Sequence, residues 1–226
     1  MTSSLDKMSD KTISELLFEQ FCEENSIPYC RVERQEYKTP DYDICFGEHL
    51  VIAEVKQIDQ NEDDEKHSEQ GRRRGRIGFW EKSDRRVRIK IDSAKEQLKL
   101  RSQGKYPAIL VLYDSVPIKS TDAVDIKTAM YGHESIRIAL PDSADDMSIE
   151  IENVGFGSER KFTPNHNTTF SAIALLSKFG QILHLSVFHN VYAKCPIDPS
   201  WLRVSTVRHF TLEPQIQGAF QEWREV

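Results

Sequence analysis

The sequence predicts an α/β fold in which a mixed central sheet is flanked by helices. The first 114 residues contain one helical pattern, three strand patterns, a second helical pattern and a further strand, in the order αβββαβ. Strand patterns dominate the remaining residues, so a β-rich C-terminal extension is expected. With 226 residues, the chain is long enough to bury a substantial hydrophobic core.

The first helix is predicted between Lys11 and Asn25, and Pro28 sets the latest point at which it can end. Its apolar residues recur at helical spacing, which predicts that they form one stripe on the helix. That stripe consists of Ile13, Leu16, Leu17, Phe21 and Cys22.

Three short strands are predicted after this helix, at Tyr29 to Val32, Asp41 to Phe46 and Leu50 to Gln57. Gly47 and Glu48 separate the second strand from the third. A glycine in the first position of a two-residue loop is typical of a type II′ hairpin turn. The second and third strands are therefore expected to form a hairpin.

The segment from Gln60 to Gly78 is polar, highly charged and rich in glycine and arginine, and it is predicted to be a mobile loop. A long helix is predicted from Ser83 to near Gly104. The apolar run from Ala108 to Tyr113 then predicts a buried strand. The buried stripe of the long helix would be Val87, Ile91, Ala94 and Leu98.

Patterns in the second half of the chain are weaker. A short helix is predicted at Ala123 to Tyr131, and prolines 196, 199 and 214 mark loops in the C-terminal tail. Strands are predicted at Ile136 to Leu140, Ser148 to Val154, Ser171 to Leu176 and Ile182 to Phe188, the last two as a hairpin around Gly180. We therefore expect a core at 1–114 and an extension at 115–226 that packs on the same domain.

Composition and charge restrict the class of protein. The net charge of -6 argues against a protein that coats nucleic acid non-specifically. No apolar run approaches the roughly 20 residues that cross a bilayer, and the first residues lack a signal-peptide pattern. The cysteines, which form no CxxC pair, are expected to be buried thiols without disulfides. A cytoplasmic protein with no membrane partner is expected.

Acidic and basic side chains converge in the predicted hairpin. Alternation along a strand puts Glu54 and Lys56 on one face. A two-residue turn sets Asp41 opposite Glu54, and residues so paired lie about 5 Å apart at Cβ. Asp43 has the same parity and stays an alternate ligand. An ordinary hairpin with solvated charges explains Lys56 but not two like charges facing each other.

Two carboxylates held this close are costly unless a cation neutralises them. Carboxylate and water oxygens suit Mg²⁺ or Mn²⁺, whereas zinc usually recruits histidine or cysteine. The sequence therefore predicts a divalent metal site at Asp41 and Glu54. Lys56 is expected to orient the attacking water or to hold the phosphate.

The motif Pro40-Asp41 followed by Glu54-x-Lys56 resembles the signature of the PD-(D/E)xK nuclease superfamily, and the resemblance covers roughly residues 11–114. It implies a restriction-endonuclease-like αβββαβ fold. It also implies a Mg²⁺-dependent phosphodiesterase, with DNA favoured as the substrate and endonuclease favoured over exonuclease cleavage.

The resemblance also implies roles for residues outside the motif. Glu15 matches a glutamate on the first helix that completes the metal site in many members, and Glu19, one turn on, is the alternative. The carbonyl of Val55 coordinates the metal in family members. Gln97 matches a glutamine of the second helix that approaches the backbone near the site.

A basic stretch between Gly71 and Lys90 suggests contacts with nucleic acid, to which Phe79 and Trp80 would add stacking. The alternative is that its arginines pair with the acidic run that starts at Glu62. Helical spacing puts Arg86, Lys90 and Gln97 on one face. The candidate contacts are Arg72, Arg73, Arg74, Arg76, Arg86, Lys90 and Gln97.

Two other functions stay open. The chain is alternatively a non-catalytic nucleic-acid-binding protein on the same fold. It is also alternatively a regulatory protein of a defence system, whose C-terminal half docks a protein partner through Trp201 or Trp223. A homodimer is left open, because many related enzymes dimerise to cut two strands. The sequence contains no HExxH motif and no phosphate-binding Gly-Lys-Ser/Thr loop.

Overall fold

An eight-stranded mixed sheet with helices on both faces forms the body of the protein. The computed structural model describes residues 11–33, 38–60, 62–74, 83–116, 121–139, 150–214, 216 and 219–226. The helices are α1 (Ile13–Glu24), α2 (Glu62–Arg74), α3 (Ser83–Ser102), α4 (Ala123–Tyr131) and a short 3₁₀ helix (Pro199–Leu202). The strands are β1 (Tyr29–Arg31), β2 (Tyr42–Phe46), β3 (His49–Ile58), β4 (Ala108–Asp114), β5 (Glu134–Ala139), β6 (Glu150–Phe156), β7 (Phe170–Phe179), β8 (Ile182–His189), β9 (Val207–Leu212) and β10 (Trp223–Glu225).

The strand order in the large sheet is β1-β2-β3-β4-β7-β8-β9-β10, and β5 pairs separately with β6. Strands β3, β4 and β7 run parallel to one another, as do β8 and β9, whereas the other neighbours are antiparallel. The predicted α/β class with a mixed sheet is confirmed. Four strands of the C-terminal half extend the same sheet, and β7 pairs directly with β4.

The β2–β3 hairpin has the predicted register. Phe46 pairs with His49, and the ladder continues to Tyr42 opposite Ala53. Gly47 has a φ of +60°, which a glycine adopts without steric cost. This register fixes which β3 side chains face each side of the sheet.

Two hydrophobic cores lie on opposite faces of the sheet. On one face, α3 and α4 pack against β3, β4 and β7. On the other face, α1 packs against the same strands and β8. The predicted stripe of α3 is confirmed, because Val87, Ile91, Ala94 and Leu98 have no exposed surface.

The prediction for α1 is confirmed in extent, and Phe21 and Cys22 are buried as expected, but two residues of the predicted stripe are exposed. Ile13 and Leu16 are 58% and 41% exposed, whereas Ser14 and Glu15 are buried. A capping box of Thr12 and Glu15 fixes the start of the helix. The buried side of α1 therefore contains polar residues beside the apolar ones, and the periodicity of apolar residues alone does not reveal them.

The prediction of a loop at Gln60 to Gly78 is wrong for the residues that form α2. Glutamate, lysine, glutamine and arginine have high helix propensity. The basic residues in the last turn of α2 also interact favourably with the negative end of the helix dipole. Pairs one turn apart, such as Glu69 with Arg73 at 2.5 Å, contribute a little more. High polarity was therefore a poor guide to local structure here.

The C-terminal tail contains two strands that the sequence patterns did not predict, β9 and β10. Strand β9 pairs with β8 and β10 pairs with β9, so the sheet stabilises both strands rather than a local pattern. All four cysteines are free thiols, but only Cys22 is buried and Cys30 is exposed, which corrects the expectation of burial. Among the described helices, none combines the length and the hydropathy needed to cross a bilayer.

His189 and His209 form a buried pair between β8 and β9. His189 Nε2 lies 2.9 Å from His209 Nδ1, and His209 Nε2 lies 3.1 Å from the carbonyl oxygen of Leu202. Because that carbonyl can only accept, His209 carries its proton on Nε2 and accepts from His189. Burial lowers the pKa of His189 to about 4 and also lowers the pKa of His209. Both rings are therefore neutral and structural.

Candidate functional site

Glu54 and Lys56 lie on the face of β3 that packs toward α3. The same face carries Ile52 and Ile58, which belong to the core beneath α3. The side chain of Glu54 has no exposed surface, whereas that of Lys56 is 27% exposed. The Lys56 ammonium contacts Glu54 Oε1 directly. The predicted placement of these two residues on one face is confirmed.

The β2–β3 ladder ends at the pair of Tyr42 and Ala53. Asp41 is the next residue beyond this pair and therefore lies beside Glu54. Its carboxylate Oδ2 accepts a hydrogen bond of 2.8 Å from the amide of Val55. Its carbonyl accepts one of 2.9 Å from the amide of Val32, which ties it to the end of β1. The carboxylate therefore takes the place of a ladder partner for β3 and is held close to the strand.

Gln97 of α3 supports this arrangement from above. Its Nε2 donates a hydrogen bond of 3.1 Å to the carbonyl of Thr39, two residues before Asp41. Its amide also favours the ionised form of Glu54. The resemblance implied a glutamine on the second helix of the predicted core that approaches the backbone near the site. That helix is α3 in the structure, and Gln97 has this position.

Burial, together with the charge of Asp41, raises the pKa of Glu54 to about 7 against the opposing effect of Lys56. Burial likewise raises the pKa of Asp41, mainly opposed by the Val55 hydrogen bond. In the described part of the chain, no donor makes a hydrogen bond of regular geometry to either oxygen of Glu54. The pair needs a proton or a cation in addition to Lys56.

Glu15 lies near this pair but is occupied by other partners. Its Oε2 accepts hydrogen bonds from the amide and the hydroxyl of Thr12, at 2.7 and 2.8 Å. Its Oε1 accepts one of 2.8 Å from Arg31. The charge of Glu15 contributes to raising the pKa of Asp41. The two carboxylates are therefore close enough to repel each other.

The two alternate carboxylates are also engaged. Glu19 accepts hydrogen bonds from Tyr42 at 2.8 Å and from Lys11 at 2.6 Å. Asp43 forms an ion pair of 2.5 Å with Arg101 on α3. Both side chains therefore have structural partners at the margin of the site.

The ligand set for a cation is accordingly small. Among the residues that the structure describes, no group of three or more histidine, cysteine, aspartate or glutamate side chains is arranged to hold a metal ion. Asp41 and Glu54 are the predicted ligands that lie together. Their oxygen donors fit Mg²⁺ or Mn²⁺, and the wholly buried carboxylate of Glu54, whose Oε1 already contacts Lys56, fits a cation as well. Coordination by the carbonyl of Val55 stays a prediction.

The basic residues fall into exposed and paired groups. Arg72, Arg73 and Arg74 are exposed at the end of α2, where Arg73 bonds Glu69. Lys90 is partly exposed on α3. Arg76, Phe79 and Trp80 lie outside the described residues.

Arg86 is paired with the acidic run instead of being presented to a ligand. Its Nη2 lies 2.6 Å from Asp64 Oδ1, and both side chains are largely buried. Arg88, in the same basic stretch, is buried and bridges Asp84 at 2.8 Å and Glu159 at 2.5 Å. Part of the basic stretch therefore holds α3 against its neighbours.

Two residues of this region were not identified from the sequence. Arg31 on β1 pairs with Glu15 at 2.8 Å, and its charge partly opposes the burial that raises the pKa of Asp41. Gln57 follows Lys56 on β3, and its side-chain oxygen accepts a hydrogen bond of 3.1 Å from the amide of Ser14. Gln57 had one sequence signal, its place directly after the Glu-x-Lys motif, whereas Arg31 had none.

Comparison of the chain with protein-family models, with curated proteins and with solved structures gave no match. The site's interpretation therefore rests on its residues and their geometry.

Proposed function

We propose that this chain is a metal-dependent nuclease that hydrolyses phosphodiester bonds, with DNA as the favoured substrate. The observation that carries the proposal is the wholly buried carboxylate of Glu54, held beside Asp41 and in contact with the ammonium of Lys56. Two carboxylates this near each other are unfavourable for stability, and a catalytic site is a common reason for such an arrangement.

The proposal includes the finer fold assignment. The chain order α1-β1-β2-β3 followed, after α2, by α3-β4 is compatible with a restriction-endonuclease-like core. The Asp41, Glu54 and Lys56 set occupies the hairpin and strand that the PD-(D/E)xK motif would occupy. The four C-terminal strands would be an elaboration of that core.

Each residue has a role in the proposed reaction. Asp41 and Glu54 would hold a Mg²⁺ or Mn²⁺ ion, which when bound would polarise a phosphoryl oxygen and acidify a water molecule. Lys56, whose ammonium reaches the surface, donates to the phosphate or to the attacking water. Gln97 positions Asp41 through the Thr39 carbonyl. Exposed Arg72 and Arg74 contact phosphates further along the strand.

The test is a cleavage assay on supercoiled plasmid and on labelled linear DNA and RNA, with Mg²⁺, with Mn²⁺ and with EDTA. We expect metal-dependent cleavage by the wild type. Asp41→Asn and Glu54→Gln are each expected to lower the rate by at least about 100-fold, because each removes a charge that stabilises the transition state. Glu48→Gln is the matched control, since Glu48 is exposed at the turn of the same hairpin. Full activity in both site variants refutes the assignment.

A second candidate function is nucleic-acid binding without cleavage. The engagement of Glu15 by Arg31 and Thr12 favours it, because Glu15 was expected to complete the metal site. Binding of the same DNA in a gel-shift assay, with no metal-dependent product from any substrate, supports this candidate over the nuclease.

A further inference from the structure

The β7–β8 hairpin ends in an exposed apolar tip. Phe179 and Ile182 pair directly across the hairpin and are 70% and 55% exposed. Gly180, with a φ of +63°, and Gln181 form the two-residue turn between them. The Phe179 ring has one edge contact, with His184 at a centroid distance of 5.6 Å. A large aromatic face is thus presented at the end of a rigid hairpin.

This tip lies on the same face of the sheet as Glu54 and Lys56. Side chains alternate along β7, and Ile173 and Leu175 pack in the core beneath α3, as Ile52 of β3 does. Phe179 has the same parity as Leu175 and therefore emerges on that face.

The tip also lies at the same end of the sheet. Strands β3, β4 and β7 are parallel, and Lys56 is level with Leu112, which is level with Leu175. Phe179 is four residues further along β7. At about 3.3 Å per residue and about 4.8 Å per strand, it lies roughly 13 Å beyond Lys56 and roughly 10 Å to the side. A nucleic acid strand bound at Lys56 passes within reach of this ring.

The segment that forms the hairpin carries no acidic side chain. The sequence from Lys161 to Ile197 contains no aspartate or glutamate, although the whole chain has a net charge of -6. Lys178 is exposed next to Phe179. A cavity of about 150 Å³ lies beside the hairpin, between the ends of β4 and β7. Its acidic lining residue, Asp114, already accepts hydrogen bonds from Val116 and Thr121.

We propose that Phe179 stacks on an unpaired base of the nucleic acid whose phosphate lies at Glu54 and Lys56. The inference rests on the proposed nuclease function and names its substrate class: single strands, or duplexes with unpaired bases near the cut. Stacking on an aromatic ring is tolerant of sequence and requires an exposed base face. Ile182 lies beside the ring on the opposite strand of the hairpin.

The test measures binding in EDTA, so that it does not depend on cleavage. The probes are a single-stranded oligonucleotide labelled for fluorescence anisotropy and carrying one 2-aminopurine, and its fully paired duplex. Phe179→Ala is expected to weaken binding of the single strand about tenfold and to abolish 2-aminopurine quenching. Phe179→Trp is expected to retain both. Phe220→Ala is the control, because Phe220 is an exposed aromatic residue that precedes β10, at the other end of the sheet.

The outcomes separate this inference from the nuclease proposal. Equal affinity of wild type and Phe179→Ala for the single strand overturns the inference, as does wild-type preference for the paired duplex, and the tip is then a surface for a protein partner. Metal-dependent cleavage by the same preparations leaves the nuclease proposal standing in either case. Tight, Phe179-dependent binding without cleavage supports the inference and refutes the nuclease.

Discussion

Replacing Glu54 by glutamine removes one of the two buried acids while keeping the shape of the side chain. The pKa of Glu54 is raised from 4.5 to about 7, chiefly by burial. At about 1.4 kcal/mol per pKa unit, the ionised form costs the folded state roughly 3 kcal/mol. We therefore expect Glu54→Gln to be more stable than the wild type at pH 8 by up to that amount.

The sign of the pH dependence follows from proton binding. The unfolded chain loses the Glu54 proton near pH 4.5, whereas the folded chain keeps it until about pH 7. Between these values the folded state binds more protons, so the free energy of unfolding falls as the pH rises. The advantage of Glu54→Gln is accordingly expected at pH 8 and largely lost at pH 4.5.

The assay is urea unfolding of both proteins in EDTA at pH 4.5 and pH 8, followed by tryptophan fluorescence and circular dichroism. The expected gain at pH 8 is a higher free energy of unfolding in urea. In thermal unfolding it corresponds to about 2–4 °C in Tm for each kcal/mol in a chain of this size. Glu48→Gln, at the exposed turn, controls for the loss of one charge. A Glu54→Gln protein that is no more stable than the wild type at pH 8 refutes the claim that a buried, unfavourable charge is present.

Two further predictions concern the supports of the site and the sheet. Gln97→Ala removes the hydrogen bond to the Thr39 carbonyl. We expect the free energy of unfolding in urea to fall by about 1 kcal/mol. The cleavage rate is expected to fall by about tenfold, because Asp41 is held less firmly. The pKa of His189 is lowered to about 4 by burial and by His209. Between pH 4 and 6.5 the unfolded chain therefore binds more protons than the folded chain. The free energy of unfolding is expected to fall by up to roughly 3 kcal/mol as the pH decreases through this range. His189→Gln is expected to lose that share of the pH dependence in the same unfolding assay.

Each of these predictions has a direct contradiction. For Gln97, the exposed α3 neighbour Glu96 provides the control variant Glu96→Ala, and equal rates for the two variants remove the positioning role. For His189, the comparison is the slope of stability against pH relative to the wild type, since Glu54 acts in the opposite direction over the same range. Identical slopes show that His189 is not the group that titrates.

Local rules predicted the β2–β3 hairpin well. Gly47 and Glu48 left a two-residue turn, and the period of two then determined that Glu54 and Lys56 share a face. Asp41 followed from the same register. These inferences succeeded because each depends on neighbouring residues alone.

Long-range contacts decided what the sequence did not reveal. Glu15 was expected among the metal ligands, but Arg31, distant along the chain and adjacent in space, holds its carboxylate. The burial of Ser14 and Glu15 on α1 depends on such polar contacts, which the spacing of apolar residues does not predict. Strand β9 lacks a strong pattern of its own and forms because β8 offers an open edge.

The adjacency of β4 and β7 has a consequence for how the chain is synthesised and cut. In the folded protein the apolar side chains of β4 from Ala108 to Leu112 have no exposed surface, apart from 5% at Ile109. When only the first 114 residues have left the ribosome, β4 has been made but β7, which pairs with its second edge, has not. That open margin invites pairing with other nascent chains until β7 emerges. Expression of residues 1–114 alone should therefore yield aggregated material, and a search for the smallest active fragment should start from the full chain.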